Sequence, residues 1–361
     1  MKPALLHSLR LFIALLLVQV AAAQNPRLAL YDASPLHVNP AFAGKFNGKY
    51  RVGAHVSSMS ADSAKMLHNN VMLDFRSKYE EGRRYPENYF GLGLNYYRYG
   101  SNTSELSASF ISLSGAYHTY IDRRKRHAVD IGVQGAFASG KLDRTPFRSG
   151  DGRRSYFDPE ISGGGFAYRA GDSDTPQVSH SYIDFSVGVN YAFRSNQFRF
   201  ESGLAMYHLF YPANDIFQLD PDIPRLRHRG VFTMNFGFDL DEEHELMFRS
   251  MYWADGLFWL SRSFNDRGTD EYKVSAWAGL ELNKLNPGEK NLTVNYALFT
   301  RSFRTVMPVV GVTYKKNYHL RATYEQPMNS KNFSAYTAKR LEAALIITLN
   351  PKGRLTPYTE D

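Results

Sequence analysis

Between Tyr182 and Arg194 the sequence alternates without a break. Ile183, Phe185, Val187, Val189, Tyr191 and Phe193 occupy every second position, with Asp184, Ser186, Gly188, Asn190 and Arg194 in the other register. Side chains two apart share one face of an extended strand, so the segment predicts a strand with one apolar face and one small or polar face. Strands of soluble sheets are usually about 5–6 residues long, whereas a strand that crosses a bilayer at a tilt needs about 9–11. The length of this stretch therefore points to a membrane wall rather than to a sandwich.

The same pattern recurs along the chain. Phe90, Leu92, Leu94 and Tyr96 alternate with Gly91, Gly93 and Asn95. Val129, Ile131, Val133 and Phe137 alternate with Asp130, Gly132 and Gln134, and Phe232 to Asp239 follows suit. Leu292 to Leu298 and Leu341 to Leu349 repeat it near the end. About fourteen such segments fit between Phe46 and Leu349, an even number being usual for a single-chain bacterial barrel. The chain has 24 Tyr and 25 Phe, yet its mean hydropathy is −0.41. A wall whose alternate residues face lipid and a polar interior gives that combination. The expected fold is all-β, a transmembrane outer-membrane antiparallel β-barrel of about 14 strands.

The N-terminus predicts export. Lys2 and Arg10 flank a positive start, Leu11 to Val18 is unbroken apolar sequence, and Ala21-Ala22-Ala23 offers a cleavage site. We expect a signal peptide at 1–23, an N-terminal periplasmic or plug segment at 24–45, the barrel at 46–350 and a tail at 351–361. No apolar run after Val18 is long enough for a membrane helix. The chain contains no cysteine, which removes disulfides, thiolate metal ligands and thiol nucleophiles.

Connections alternate in length through the middle of the chain. Asp122–Arg126, Ser195-Asn196 and Asp239–Glu243 are short, while Gly140–Ser181 and Tyr211–Arg229 are long. Outer-membrane barrels place short turns in the periplasm and long loops outside. Tyr79–Asn88 is an exception on this reading. Tyr89, Tyr97, Tyr99, Tyr207, Tyr211, Tyr252, Trp253 and Trp259 lie at strand ends and are expected at the membrane–water boundary. The net charge of +8 is spread thinly apart from Arg123-Arg124-Lys125-Arg126, so solvated turns and a basic lumen explain it better than nucleic-acid binding.

No catalytic pattern stands out. The chain has neither a GxSxG elbow nor an HExxH helix, and no carboxylate cluster has calcium-loop spacing. His180 and Asp184 are four apart on one strand face and are best read as a lumen pair or loop contact. His208 reads as a rim or lumen hydrogen-bonding group. We therefore expect no enzyme, no cofactor and no metal site.

After the signal peptide the chain reads Asn39-Pro40-Ala41-Phe42-Ala43-Gly44. Asn39-Pro40 favours a turn, and the small residues that follow allow close backbone packing. NPAFAG resembles the N-terminal signature of the PorP/SprF family, outer-membrane proteins of Bacteroidetes associated with type IX secretion and gliding. In order along the chain, Ile183–Tyr191, Gly203–Pro212, Arg301–Gly311, Tyr324-Glu325 and Arg340-Leu341-Glu342 resemble further family segments. Asp184, His208, Arg301 and Glu342 stand within them as candidate lumen or structural residues. Arg304-Thr305, Glu325 and Arg340-Leu341 depart from the usual pattern. The resemblance implies an outer-membrane docking and anchoring partner for secreted adhesins that carry a type IX C-terminal targeting domain. It also implies association with periplasmic, peptidoglycan-associated machinery and outer-membrane lipid. A solute porin is the alternative, and the length and polarity of Gly140–Ser181 make it the candidate adhesin contact.

Overall fold

A computed structural model describes residues 28–61, 64–78, 88–101, 106–143, 177–195, 197–212, 226, 228–241, 244–255, 273–285, 292–301, 303–328 and 339–349. The expected signal peptide at 1–23 and the tail at 351–361 lie outside the described residues. So does most of the expected loop at Gly140–Ser181.

Fourteen strands form one closed sheet. In chain order they are β1 (Tyr50–Ala61), β2 (Ala64–Arg76), β3 (Tyr89–Ser101), β4 (Leu106–Tyr120) and β5 (His127–Asp143). There follow β6 (Gln177–Arg194), β7 (Phe198–Tyr207), β8 (Arg229–Asp239), β9 (His244–Asp255) and β10 (Lys273–Leu285). The last four are β11 (Leu292–Arg301), β12 (Thr305–Tyr314), β13 (Tyr318–Pro327) and β14 (Lys339–Leu349). Each pairs antiparallel with its chain neighbour, and β1 closes on β14 from Tyr50 opposite Leu349 to Ser60 opposite Lys339. Closure leaves no open edge, which hydrocarbon would not tolerate. No helix among the described residues is long and apolar enough to cross a membrane.

Burial follows the alternation. In β6 the outward Ile183, Phe185, Val187 and Val189 are exposed, while Asp184, Ser186 and Asn190 are buried. The ordinary inside-out rule is inverted: the apolar side chains coat the outside and the polar ones fill the inside.

One end of the barrel carries the connections at 121–126, 195–197, 240–243, 286–291 and 315–317. The first and last strands also start and finish there. The other end carries 144–176, 208–228 and 256–272, with connections of two and three residues at 62–63 and 302–304. Short turns and both strand termini mark the first end as periplasmic. The connection at 77–88 is the long exception on that side.

Two expectations change. The Gly140–Ser181 loop is shorter than expected, because β5 and β6 keep pairing to Asp143 opposite Gln177. The aromatic belt is also largely misassigned. Tyr89, Tyr97, Tyr99, Tyr207 and Trp253 are buried on the inner face. In β3, Phe90, Leu92, Leu94 and Tyr96 face out, so Tyr89, Tyr97 and Tyr99 have the inward parity. Parity along the strand overrides position at its end. Tyr211 and Tyr252 are exposed, and Trp259 lies outside the described residues.

The chain before β1 occupies the interior. Leu28 to Phe46 makes three short turns, Tyr31–Ala33, Pro35–Val38 and Pro40–Phe42. Pro35 and Pro40 each open a turn, where the missing N–H has no partner to lose. Almost every residue of this segment is buried.

Candidate functional site

The candidate site is this filled lumen. Its first part is the NPAFAG motif, held by shape. The Asn39 side-chain oxygen accepts from the Ala41 N–H at 2.9 Å, and its amide donates to the Val189 carbonyl at 3.1 Å. The turn lies on Gly132 of β5 and Gly188 of β6, which pair directly across the two strands. A Cβ on Gly132 would strike the Pro40–Ala41 peptide, and one on Gly188 would strike the Asn39 side chain. The glycine pair is therefore a flat seat that takes the Pro40–Ala41 backbone on Gly132 and the Asn39 side chain on Gly188. Gly44 has φ +74°, a conformation open to glycine, and its N–H donates to Asp74 at 2.7 Å.

The second part is held by charge. Asp32 pairs with Arg249 at 3.3 Å and with Arg321, while Glu281 pairs with Arg249 at 3.0 Å and Arg321 at 3.2 Å. Two acids and two guanidinium groups thus form a closed, neutral square deep inside the barrel, with the segment supplying one corner. Glu342 accepts from the backbone N–H groups of Ala29 and Leu30, both at 2.8 Å, and contacts His55 at 3.1 Å. Ser34 joins His55 at 3.0 Å and Asn70 at 3.1 Å. Near the periplasmic end, Lys45 bridges Asp130 at 2.9 Å and Glu201 at 3.1 Å. Arg51 pairs with Asp74, and His118 lies between Asp130 at 2.8 Å and the Ala43 carbonyl at 2.7 Å. A buried charge without a partner is strongly destabilising, so each of these groups fixes its neighbour.

Aromatic contacts complete the fit. Tyr31 meets Trp277 edge-on at 4.4 Å, and His37 stacks on Tyr97 at 4.9 Å. Burial, assisted by Arg229, pulls the His37 imidazole down to about 4, so that it is neutral in the lumen.

The structure brings the motif residues Asn39 to Gly44 and Glu342 into this one assembly. Arg301 is joined to Glu342 through Glu325 and Arg340, whereas Asp184 and His208 pair with each other away from it. Asp184 pairs with His208 at 3.0 Å towards the outer end, and Arg301 pairs with Glu325 at 3.2 Å. The side chain of His180 lies outside the described residues. No group of three His, Cys, Asp or Glu side chains among the described residues has the geometry to hold a metal. Sequence reading missed Arg249, Glu281, Arg321 and the glycine pair. Their common signal is a charge or a glycine at mid-strand on the polar face.

The family model of the type IX secretion system membrane protein PorP/SprF matches residues 20–343, spanning both the lumen segment and the strands that hold it. The chain belongs to the PorP/SprF family. A search of curated protein sequences returned no match. Among solved structures this PorP/SprF chain is similar to the Pseudomonas putida toluene transporter TodX. The TM-score is 0.50 at 10% identity, covering 92% of this chain and 100% of that one. It is also similar to the Ralstonia pickettii toluene transporter TbuX, with TM-score 0.46 and 12% identity, covering 87% and 92%. A Pseudomonas aeruginosa FadL homologue gives TM-score 0.45 and 9% identity, covering 85% and 91%. At 10% identity the likeness to TodX is one of fold, an outer-membrane barrel.

Proposed function

We propose that this PorP/SprF barrel is a docking and anchoring partner for adhesins exported by type IX secretion. It grips their C-terminal targeting domain through its outer connections, and it carries out no chemistry. The observation that carries this reading is the filled lumen. Leu28 to Phe46 is covalently joined to β1, buried, and tied to the wall by ion pairs and backbone contacts. A barrel stoppered in this way offers its two ends, not a pathway, as working surface. The connections at 144–176, 208–228 and 256–272 belong to the outer end and are the adhesin contact in this account.

Deleting 147–173 tests the reading. Surface display of the adhesin falls while the barrel still reaches the outer membrane in normal amount. Unchanged display would remove this connection from the account. The rival reading, a solute porin, requires a lumen that conducts ions.

A further inference from the structure

The lumen segment does not fill the periplasmic end completely. Between Lys45 and the turns lies an open cavity, bounded by the periplasmic ends of β3 to β9. Small inward residues make the room: Ala128 of β5 sits opposite Ala192 of β6, and Gly237 lies on β8. Cationic side chains line it from floor to rim.

These cations fall into two sets. The inner set is engaged with acids of the barrel: Lys45 with Asp130 and Glu201, Arg199 with Asp239 at 2.5 Å and with Glu245, and Arg249 with Glu281. The rim set is Arg126, Arg194 and Lys125, whose ammonium lies over the Tyr120 ring. Among the described residues, no acidic side chain pairs with Arg126 or Arg194, although the Arg194 N–H donates to the Arg126 carbonyl and holds the two together at 2.9 Å. The one carboxylate in the 121–126 turn, Asp122, is taken up by the backbone N–H groups of Arg126 and His127, both at 2.8 Å. Arg123 and Arg124 continue the positive run along the same exposed turn.

We propose that this periplasmic bowl is a binding site for an acidic peptide segment presented in the periplasm. Its positive charge runs as a line, from Arg194 inside the mouth through Arg126 and out along Arg124 and Arg123. A small anion would use one point of that line, whereas an extended chain with repeated carboxylates can follow all of it. Guanidinium groups in pairs suit carboxylates through two-pronged hydrogen bonds. The bowl opens within the ring of strands, so bilayer lipid on the outer surface does not reach it. The inference concerns the opposite end from the adhesin reading and stands or falls without it.

The test uses the full-length protein in detergent and a fluorescein-labelled peptide with repeated glutamates, read by fluorescence polarisation. Saturable binding is expected. It weakens with salt, as exposed ionic contacts do, and it drops about tenfold or more in the Arg126→Glu/Arg194→Glu double variant. The Arg126→Lys/Arg194→Lys variant keeps much of the affinity. Both positions lie at the rim, and unchanged heat-dependent gel migration checks that the barrel is intact. Equal binding of a peptide with glutamine in place of glutamate would overturn the proposal. So would equal binding by the double glutamate variant, or full competition by inorganic phosphate. Binding of phosphatidylglycerol vesicles in place of the peptide would also overturn it and assign the rim to lipid.

Discussion

The lumen segment is held at its two ends by different physics. At Asn39 to Ala41 the contact is steric: the turn rests on Gly132 and Gly188, where a Cβ would collide with it, before Arg51, His118 and Asp74 take hold of the backbone at Phe42 to Gly44. At Ala29 to Asp32 the contact is electrostatic: a four-group square and the Glu342 carboxylate receive the chain. A steric seat is unforgiving of added volume but indifferent to pH and salt. A charged clamp tolerates small shifts but fails when one partner is removed. Together they fix both position and register of a segment too short to fold alone.

Substitutions sharpen this contrast. The largest effect is expected from Glu281→Leu, which strands Arg249 and Arg321 against Asp32 alone. Removal of one member of a buried pair typically costs about 3–5 kcal/mol. Protease cleavage within 28–46 of the purified barrel should rise steeply, and unchanged protection would show that the charge square is ornamental. Glu342→Gln keeps the shape but removes the charge from two backbone hydrogen bonds. Charge-assisted bonds of this kind are worth about 1.5–3 kcal/mol, so the loss of protection should be smaller and centred on Ala29 and Leu30. Asn39→Ala comes next. It removes the cap on Ala41 and the link to Val189, about 1 kcal/mol by the usual range for such caps, and should leave the charged end protected.

The smallest effect concerns pH. His37 is held neutral in the folded state, with its imidazole near 4, below the ordinary value of 6.5. The unfolded chain takes up the proton first, so this group favours the fold above 6.5 and loses that contribution as pH falls towards 4. Thermal melts of wild type and His37→Gln should therefore converge on acidification through that window. A constant gap would place the acid sensitivity elsewhere.

The wall was legible from residues alone. Period-two alternation in Tyr182–Arg194 marks β6, and it extends to the inward set Asp184, Ser186 and Asn190. The steric seat was half legible: NPAFAG reads as a turn with small residues, and Gly132 and Gly188 read as polar-face glycines. That they face each other depends on the β5–β6 register, which no local pattern states. The charged clamp was not legible, because Asp32, Arg249, Glu281 and Arg321 meet only when the sheet closes. Glu342 entered through the family pattern, without any sign that it would receive Ala29 and Leu30. The aromatics teach the opposite lesson. Tyr97 and Trp253 stand near strand ends, but their parity sends them inward against His37, with ring centres at 4.9 Å and 6.4 Å.

The filled lumen is the centre of the account, and planar-bilayer conductance tests it most directly. Wild-type protein should insert without a steady open channel, and a variant lacking 28–45 should conduct. A large, stable conductance from the wild-type barrel would contradict the account and favour a solute channel.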